Sequence, residues 1–230
     1  MNRIAVLGTG DAPVPNSPVP DPILAAAGST QPALVDVPGA VFPASPEAAS
    51  VCAAAYLDAG LAAERAGFAG LYINTVGDYG LAALRSAAAV PVGGAGEGAI
   101  RSAQDVAERF AIVTIWPPAL GFIYEGILGA TGTAESCAAV HHVSADEDLA
   151  TLGEEDNFVA QMQACGFTSM AKIRSACEQA LERDGAQIII LGCTCMHPTA
   201  ALLQDDGIPV IEPMAAGYRY LESLLQETLK

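Results

Sequence analysis

An internal repeat limits this chain more than any other feature. The segment from Asn74-Thr75-Val76-Gly77 to Pro91-Val92 lies over the segment from Gly192-Cys193-Thr194-Cys195 to Pro209-Val210 at one constant offset. Thr75 falls on Cys193, Leu84 on Leu202 and Pro91 on Pro209. Both copies read as a strand, a small polar residue, a tight loop, a Leu-rich short helix and then x-Pro-Val. The apolar runs 4–7 and 112–115 recur at a similar distance, as duplicated βαβ halves with different insertions would give. The repeat predicts two similar lobes related by a pseudo-two-fold axis.

Short β-branched runs alternate with Ala-rich stretches, the pattern of βαβ units around a parallel sheet. The expected strands are 4–7, 70–75, 90–92, 111–115, 187–193 and 208–211, with a further one over 135–140. Helices are expected over 46–65, 81–88, 98–108, 171–183 and 215–229, all rich in Ala, Leu, Glu and Gln. The Pro-rich stretch 11–22 reads as a loop, and the acidic run 144–157 as a solvated loop or helix start. The fold class is therefore α/β, with each lobe a mostly parallel sheet flanked by helices. Residues 1–100 and 210–230 are assigned to lobe one and 101–209 to lobe two.

Ten basic against 26 acidic residues give a formal net charge of −16, which repels nucleic-acid phosphates and anionic membrane faces alike. The mean hydropathy of +0.36 comes largely from Ala and Val, and the most apolar stretches are too short or too interrupted by Pro and Gly to span a bilayer. No secretory leader is read at the N-terminus, so the protein is expected to be cytoplasmic. Six cysteines in 230 residues are too sparse for a disulfide scaffold, and most are expected to be reduced core residues.

In open parallel sheets ligands bind beyond the carboxyl ends of the strands. In the two repeats those ends carry Thr75 and Cys193, which on facing lobes would approach a substrate from opposite sides of a shared cleft. A cysteine at a strand exit, after a glycine and before a helix N-terminus, is placed where backbone amides and the helix dipole lower its pKa from about 8.5. Its thiolate is then a usable base or nucleophile. Asn74, Val76 and Gly77 share the Thr75 exit, whose hydroxyl, amide and N–H groups can hold a carboxylate or carbonyl oxygen. Gly8, at the end of the first strand, joins them as a candidate substrate contact.

Other motifs are set aside. Cys195 and His197 beside Cys193 do not make a tetrahedral zinc site within one turn. His141 and His142 have no ligand-spaced partner and read as surface or loop residues. Gly8-Thr9-Gly10 lacks the third glycine of a dinucleotide fingerprint, since Pro13 stands there. The glycine-rich stretch 93–98 reads as a tight turn. Trp116, Pro117, Tyr124 and Tyr79 belong either around the pocket or in the core.

Several segments together resemble the aspartate/glutamate racemase superfamily and, within it, its hydantoin racemase branch. They are Tyr72-Ile-Asn-Thr-Val-Gly-Asp-Tyr-Gly-Leu81, Val90-Pro-Val-Gly-Gly-Ala-Gly-Glu97, Ala111-Ile-Val-Thr114, Asp184-Gly-Ala-Gln-Ile-Ile-Ile-Leu-Gly-Cys-Thr194 and Ile208-Pro-Val-Ile-Glu-Pro213. The resemblance implies two Rossmann-like lobes with the active site in the cleft between them. It implies cofactor-independent chemistry on a small-molecule substrate, and a homo-oligomer. One cysteine of such enzymes removes the proton alpha to a carbonyl and a second returns a proton on the opposite face. Cys193 matches the second of these cysteines, and the first falls on Thr75.

A threonine hydroxyl is a weak acid for proton shuttling near neutral pH. The resemblance leaves three ways round this. Some L-specific aspartate/glutamate racemases carry threonine at this place. Relatives of arylmalonate decarboxylase keep only the second cysteine and protonate an enediolate from one side. Alternatively Asp78, Tyr79 or a bound water takes the place of the thiol. No Arg or Lys occurs in the strand-exit motifs, so a substrate carboxylate would rest on backbone N–H groups and on the hydroxyls of Thr75, Thr114, Thr194 and Ser17. A neutral ring such as a hydantoin needs no cation, and a dianion would enter against the field of the protein. The leading expectation is an isomerase with Cys193 as acid/base and Thr75 assisting. A one-cysteine decarboxylase and a non-catalytic small-molecule binder are the alternatives.

Overall fold

Strands buried on both faces must be apolar throughout, and the central strands here are. The computed structural model describes residues 1–8 and 19–228. The chain divides into two compact units, residues 1–98 with 214–230, and residues 99–213.

The first unit runs β1 (Asn2–Leu7), α1 (Asp21–Ala26), β2 (Thr30–Val35), α2 (Pro46–Arg65), β3 (Gly70–Ile73), α3 (Leu81–Ala87), β4 (Val92–Gly94) and the start of α4 (Ala95–Gln104). The second holds β5 (Phe110–Thr114), α5 (Phe122–Thr131), β6 (Cys137–His142), α6 (Phe158–Gln163), α7 (Phe167–Glu182), β7 (Ile188–Leu191), α8 (His197–Asp205) and β8 (Val210–Ile211). The final helix α9 (Pro213–Thr228) returns to the first unit.

Each unit has one four-stranded sheet, ordered β2-β1-β3-β4 in the first and β6-β5-β7-β8 in the second, with every pairing parallel. The two strand orders are the same, and β3 stands where β7 does. In both, the chain leaves the central strand to one side and returns on the other, so the switch point lies between β1 and β3 and between β5 and β7. Ligand crevices open at such points, beyond the carboxyl ends of the strands.

Side-chain alternation along β1 sorts the core of the first unit into two layers. Ala5 and Leu7 pack with Leu71 and Ile73 against Cys52, Tyr56, Leu81 and Leu84 of α2 and α3. Ile4, Val6 and Tyr72 face Ile23 of α1 and Met214, Tyr218, Leu221 and Leu225 of α9. Glu222 of α9 ties this layer down. Its carboxylate accepts from the N–H groups of Gly28 (3.1 Å) and Thr30 (3.2 Å) and from the Thr30 hydroxyl (2.5 Å). In the second unit Ala111, Val113, Ile189 and Leu191 pack against Met170, Ile173 and Cys177 of α7 and Leu203 of α8.

Several elements differ from expectation. β2, α1, α5 and α6 were not anticipated. β2 contains Pro32, which an edge strand tolerates because one side of its backbone faces no partner. The glycine-rich stretch 93–98 is no turn, since β4 runs through Gly94 straight into α4. Among the described residues no helix is long and apolar enough to cross a membrane.

Candidate active site

In the first unit the candidate residues gather at the switch point. The N–H of Asn74 donates to Leu7 C=O (3.1 Å) and the N–H of Gly8 to Val35 C=O (3.2 Å), so the ends of β1 and β3 lie side by side. Thr75, Val76 and Gly77 continue from β3. Thr75 is only 7 % exposed, and its Oγ1 is buried without a hydrogen-bond partner among the described residues. A buried hydroxyl left unpaired costs about 1–3 kcal/mol. Ser17 lies outside the described residues.

Asp78 fixes this loop. Its backbone adopts the left-handed region (φ 46°), and its buried carboxylate accepts from the first amides of α4, Gly96 N–H at 3.0 Å and Glu97 N–H at 2.6 Å. A side chain at position 94 or 96 would collide with the Asp78 carboxylate or the Val76 carbonyl, which is why this stretch is glycine-rich. Burial pushes the Asp78 carboxyl up to about 8, against the opposing pull of those two N–H groups. Arg85 bridges Glu97 (2.6 Å) and donates to Val92 C=O (2.9 Å), tying α3 to β4 and α4. The Asp78 carboxylate is thus committed to the N-terminus of α4.

In the second unit Cys193 leaves β7 in extended backbone and caps a 3₁₀ turn over Thr194–Met196 that leads directly into α8. Its Sγ accepts from the N–H of Cys195 at 3.1 Å. Gly192 is required by space, since a Cβ there would stand 2.6 Å from Thr114 Cβ and 3.0 Å from Ile112 Cγ2. The Gly192 carbonyl accepts from Tyr124 O–H (2.8 Å), and Tyr124 O–H in turn meets Thr114 Oγ1. Burial drives the Tyr124 phenol well above its ordinary value, which keeps it a neutral donor.

Two expectations change here. Thr114 is fully buried, and its Oγ1 is shared between Tyr124 and the N–H of Trp116 (3.1 Å), so its hydroxyl is already engaged at the β5 exit. Tyr124 likewise belongs to the core. The larger change is at Cys193, whose Sγ is joined in a disulfide to Cys195, whereas Cys52, Cys137, Cys165 and Cys177 form no disulfide. A disulfide was not anticipated because sparse cysteines argue for thiols, yet a single intervening residue, Thr194, is enough to close this one.

Beyond β5 and β6 lies a recess of about 290 Å³ lined by Ile115, Ser144, Asp148, Asp156, Phe158 and Lys172 among others. Trp116 packs edge-on to Phe158 beside it (ring centroids 5.8 Å apart). The acidic run thus edges a concavity next to the strand ends, a placement its composition does not reveal. His142 donates from Nδ1 to Trp116 C=O (2.9 Å), and His141 pairs with Asp184 (2.7 Å). Among the described residues no three His, Cys, Asp or Glu side chains converge to hold a metal.

The Asp/Glu/Hydantoin racemase family model matches residues 23–221. The chain belongs to this family. A hydantoin racemase of Paenarthrobacter aurescens is 32% identical over 154 residues, 66% of this chain and 60% of that protein. The match thus spans less than two thirds of that racemase's length. An allantoin racemase from Klebsiella pneumoniae has the same fold at a TM-score of 0.80 and 30% identity, over 99% of this chain and 89% of its own. An allantoin racemase of Pseudomonas fluorescens superposes with a TM-score of 0.76 at 20% identity, over 99% and 92%. Two four-stranded parallel sheets flanked by helices are thus the racemase-family architecture in this chain.

Proposed function

We propose that the protein is a cofactor-independent racemase of small cyclic ureides, hydantoin-type rings with one hydrogen on the carbon alpha to a carbonyl. The observation that carries this reading is Cys193. It is a cysteine at the switch-point exit of β7, with an amide N–H on its sulfur and a helix N-terminus following. Membership of the racemase family and the names of its hydantoin- and allantoin-acting relatives support the substrate class.

In its reduced form Cys193 takes the ring proton as thiolate. The carbanion delocalises into the adjacent carbonyl as an enolate, and a proton delivered to the opposite face inverts the centre. Thr75, with its buried unpartnered hydroxyl, holds the substrate and assists on that other face. Asn74, Val76, Gly77, Gly8, Thr194 and Ser17 complete the proposed contacts. A neutral ring suits strand exits that carry no Arg or Lys. On the same family reading, the protein works as a cytoplasmic homo-oligomer, which light scattering on the purified chain tests.

The deciding experiment is proton NMR in deuterium oxide with enantiopure 5-substituted hydantoins and allantoin under a dithiol reductant. Wild type should wash out the alpha proton and lose optical rotation, and Cys193→Ala should do neither. Full exchange by Cys193→Ala overturns the assignment. The Thr75 substitution favours one other reading, a one-cysteine decarboxylase. Carbon dioxide release from an arylmalonate, with no hydantoin exchange, would establish that reading instead.

A further inference from the structure

We infer that Cys193 and Cys195 form a reversible redox pair: the disulfide is a resting, oxidised form of the site, and a dithiol reductant frees the Cys193 thiol for chemistry. The inference rests on the reading of Cys193 as the proton carrier only for its effect on activity. The pair itself stands on geometry.

Four observations point to a reversible bond. The two α-carbons are 5.1 Å apart within one 3₁₀ turn, inside the usual disulfide range. The loop closed contains Thr194 alone, and a cross-link this local restricts the unfolded chain least of all, so stabilising the fold is not its use. Both cysteines are half-buried and open to small reagents. The N–H of Cys195 on Cys193 Sγ and the α8 N-terminus behind it favour the thiolate, the form that peroxides attack.

Three of the other thiols differ. Cys52 and Cys177 are buried, and burial pushes Cys177 up to about 12 and Cys137 up to about 11. Cys165 is half-buried like the pair, but its Sγ faces Pro198 C=O (3.5 Å), whereas Cys193 has a second cysteine one residue away.

The oxidant is a hydroperoxide. The Cys193 thiolate attacks the peroxide bond, forming S–O as O–O breaks, and with one proton the leaving oxygen departs as water. The Cys195 thiol then displaces the sulfenic oxygen, forming S–S and releasing a second water. Two thiols and one hydrogen peroxide become a disulfide and two waters. A dithiol reverses this by exchange. It forms a mixed disulfide, closes its own ring and leaves both protein thiols reduced.

The test treats fully reduced protein with a slight excess of hydrogen peroxide, quenches it with catalase and follows intact mass, peptide mapping and hydantoin proton exchange. Wild type should lose the mass of two hydrogens, yield a Cys193–Cys195 linked peptide and drop in exchange rate by more than tenfold, with full recovery in dithiothreitol. Cys195→Ser should keep the basal rate, form no linked peptide and instead gain oxygen at Cys193, irreversibly at higher peroxide. Absence of the linked peptide from oxidised wild type overturns the pair, whatever Cys193→Ala shows. A linked peptide with undiminished exchange overturns redox control and removes Cys193 as proton carrier too. Exchange missing even from reduced wild type defeats the racemase reading alone, since the mass and mapping results still decide the pair.

Discussion

The hydroxyl of Tyr124 donates to the carbonyl of Gly192, the residue immediately before Cys193, at 2.8 Å. With Thr114 on its other side, this phenol holds the β7 exit against β5, and the position of the Cys193 sulfur depends on it. Tyr124→Phe should leave the buried Thr114 hydroxyl and Gly192 carbonyl without this partner and destabilise the fold by about 1–3 kcal/mol. Chemical denaturation reads that loss. Proton exchange should slow more in kcat than KM, because the sulfur shifts while the substrate contacts remain.

Thr75 separates stability from activity. Thr75→Val keeps the shape and removes a buried hydroxyl that has no partner among the described residues, so the free protein should be unchanged or more stable by up to about 1 kcal/mol. Its exchange rate should nevertheless fall at least about tenfold, and Thr75→Ser should recover most of it. A Val variant as active as wild type would remove Thr75 from the site.

Stability should depend on pH through Asp78. Burial raises its carboxyl from the ordinary 3.8 to about 8, so between those values the folded protein holds a proton that the unfolded chain has lost. Stability from this group is fully present below about pH 4, declines as pH rises towards about 8 and is level beyond. Denaturation midpoints at three pH values should show this slope in wild type. Asp78→Asn should flatten it, while weakening the fold overall because an amide cannot accept both the Gly96 and Glu97 N–H groups.

Glu222→Ala strips one carboxylate from three donors on Gly28 and Thr30. The expected cost is about 2–3 kcal/mol, measured by thermal or urea unfolding. Exchange per folded molecule should be unaltered, since none of these groups lies at a switch point.

The repeat made the topology legible because β3 and β7 end in matching patterns that short apolar strands and a following Leu-rich helix reproduce. β2 escaped notice because Thr30–Val35 carries a proline and packs from the sheet edge, so it has neither an unbroken apolar run nor a clean alternation. At the site, Cys193 stood out by its chemistry and its place after a strand. What the sequence hid were hydroxyl partners: Thr114 looked available until Tyr124, ten residues on, was found against it. Asp78 looked like a spare acid, yet its oxygens serve amides of a helix 18 and 19 positions away. Such pairings arise from the crossovers between strands and have no local spacing to betray them.

The second unit interrupts the first: residues 99–213 lie between β4 and the helix that supplies Met214, Tyr218, Leu221 and Leu225 to the opening core. During synthesis the N-terminal sheet therefore leaves the ribosome with one apolar face covered by α1 but not yet by α9. The inserted unit, begun later, has all its elements first. Only when α9 emerges can the older half close, so the order of completion reverses the order of translation.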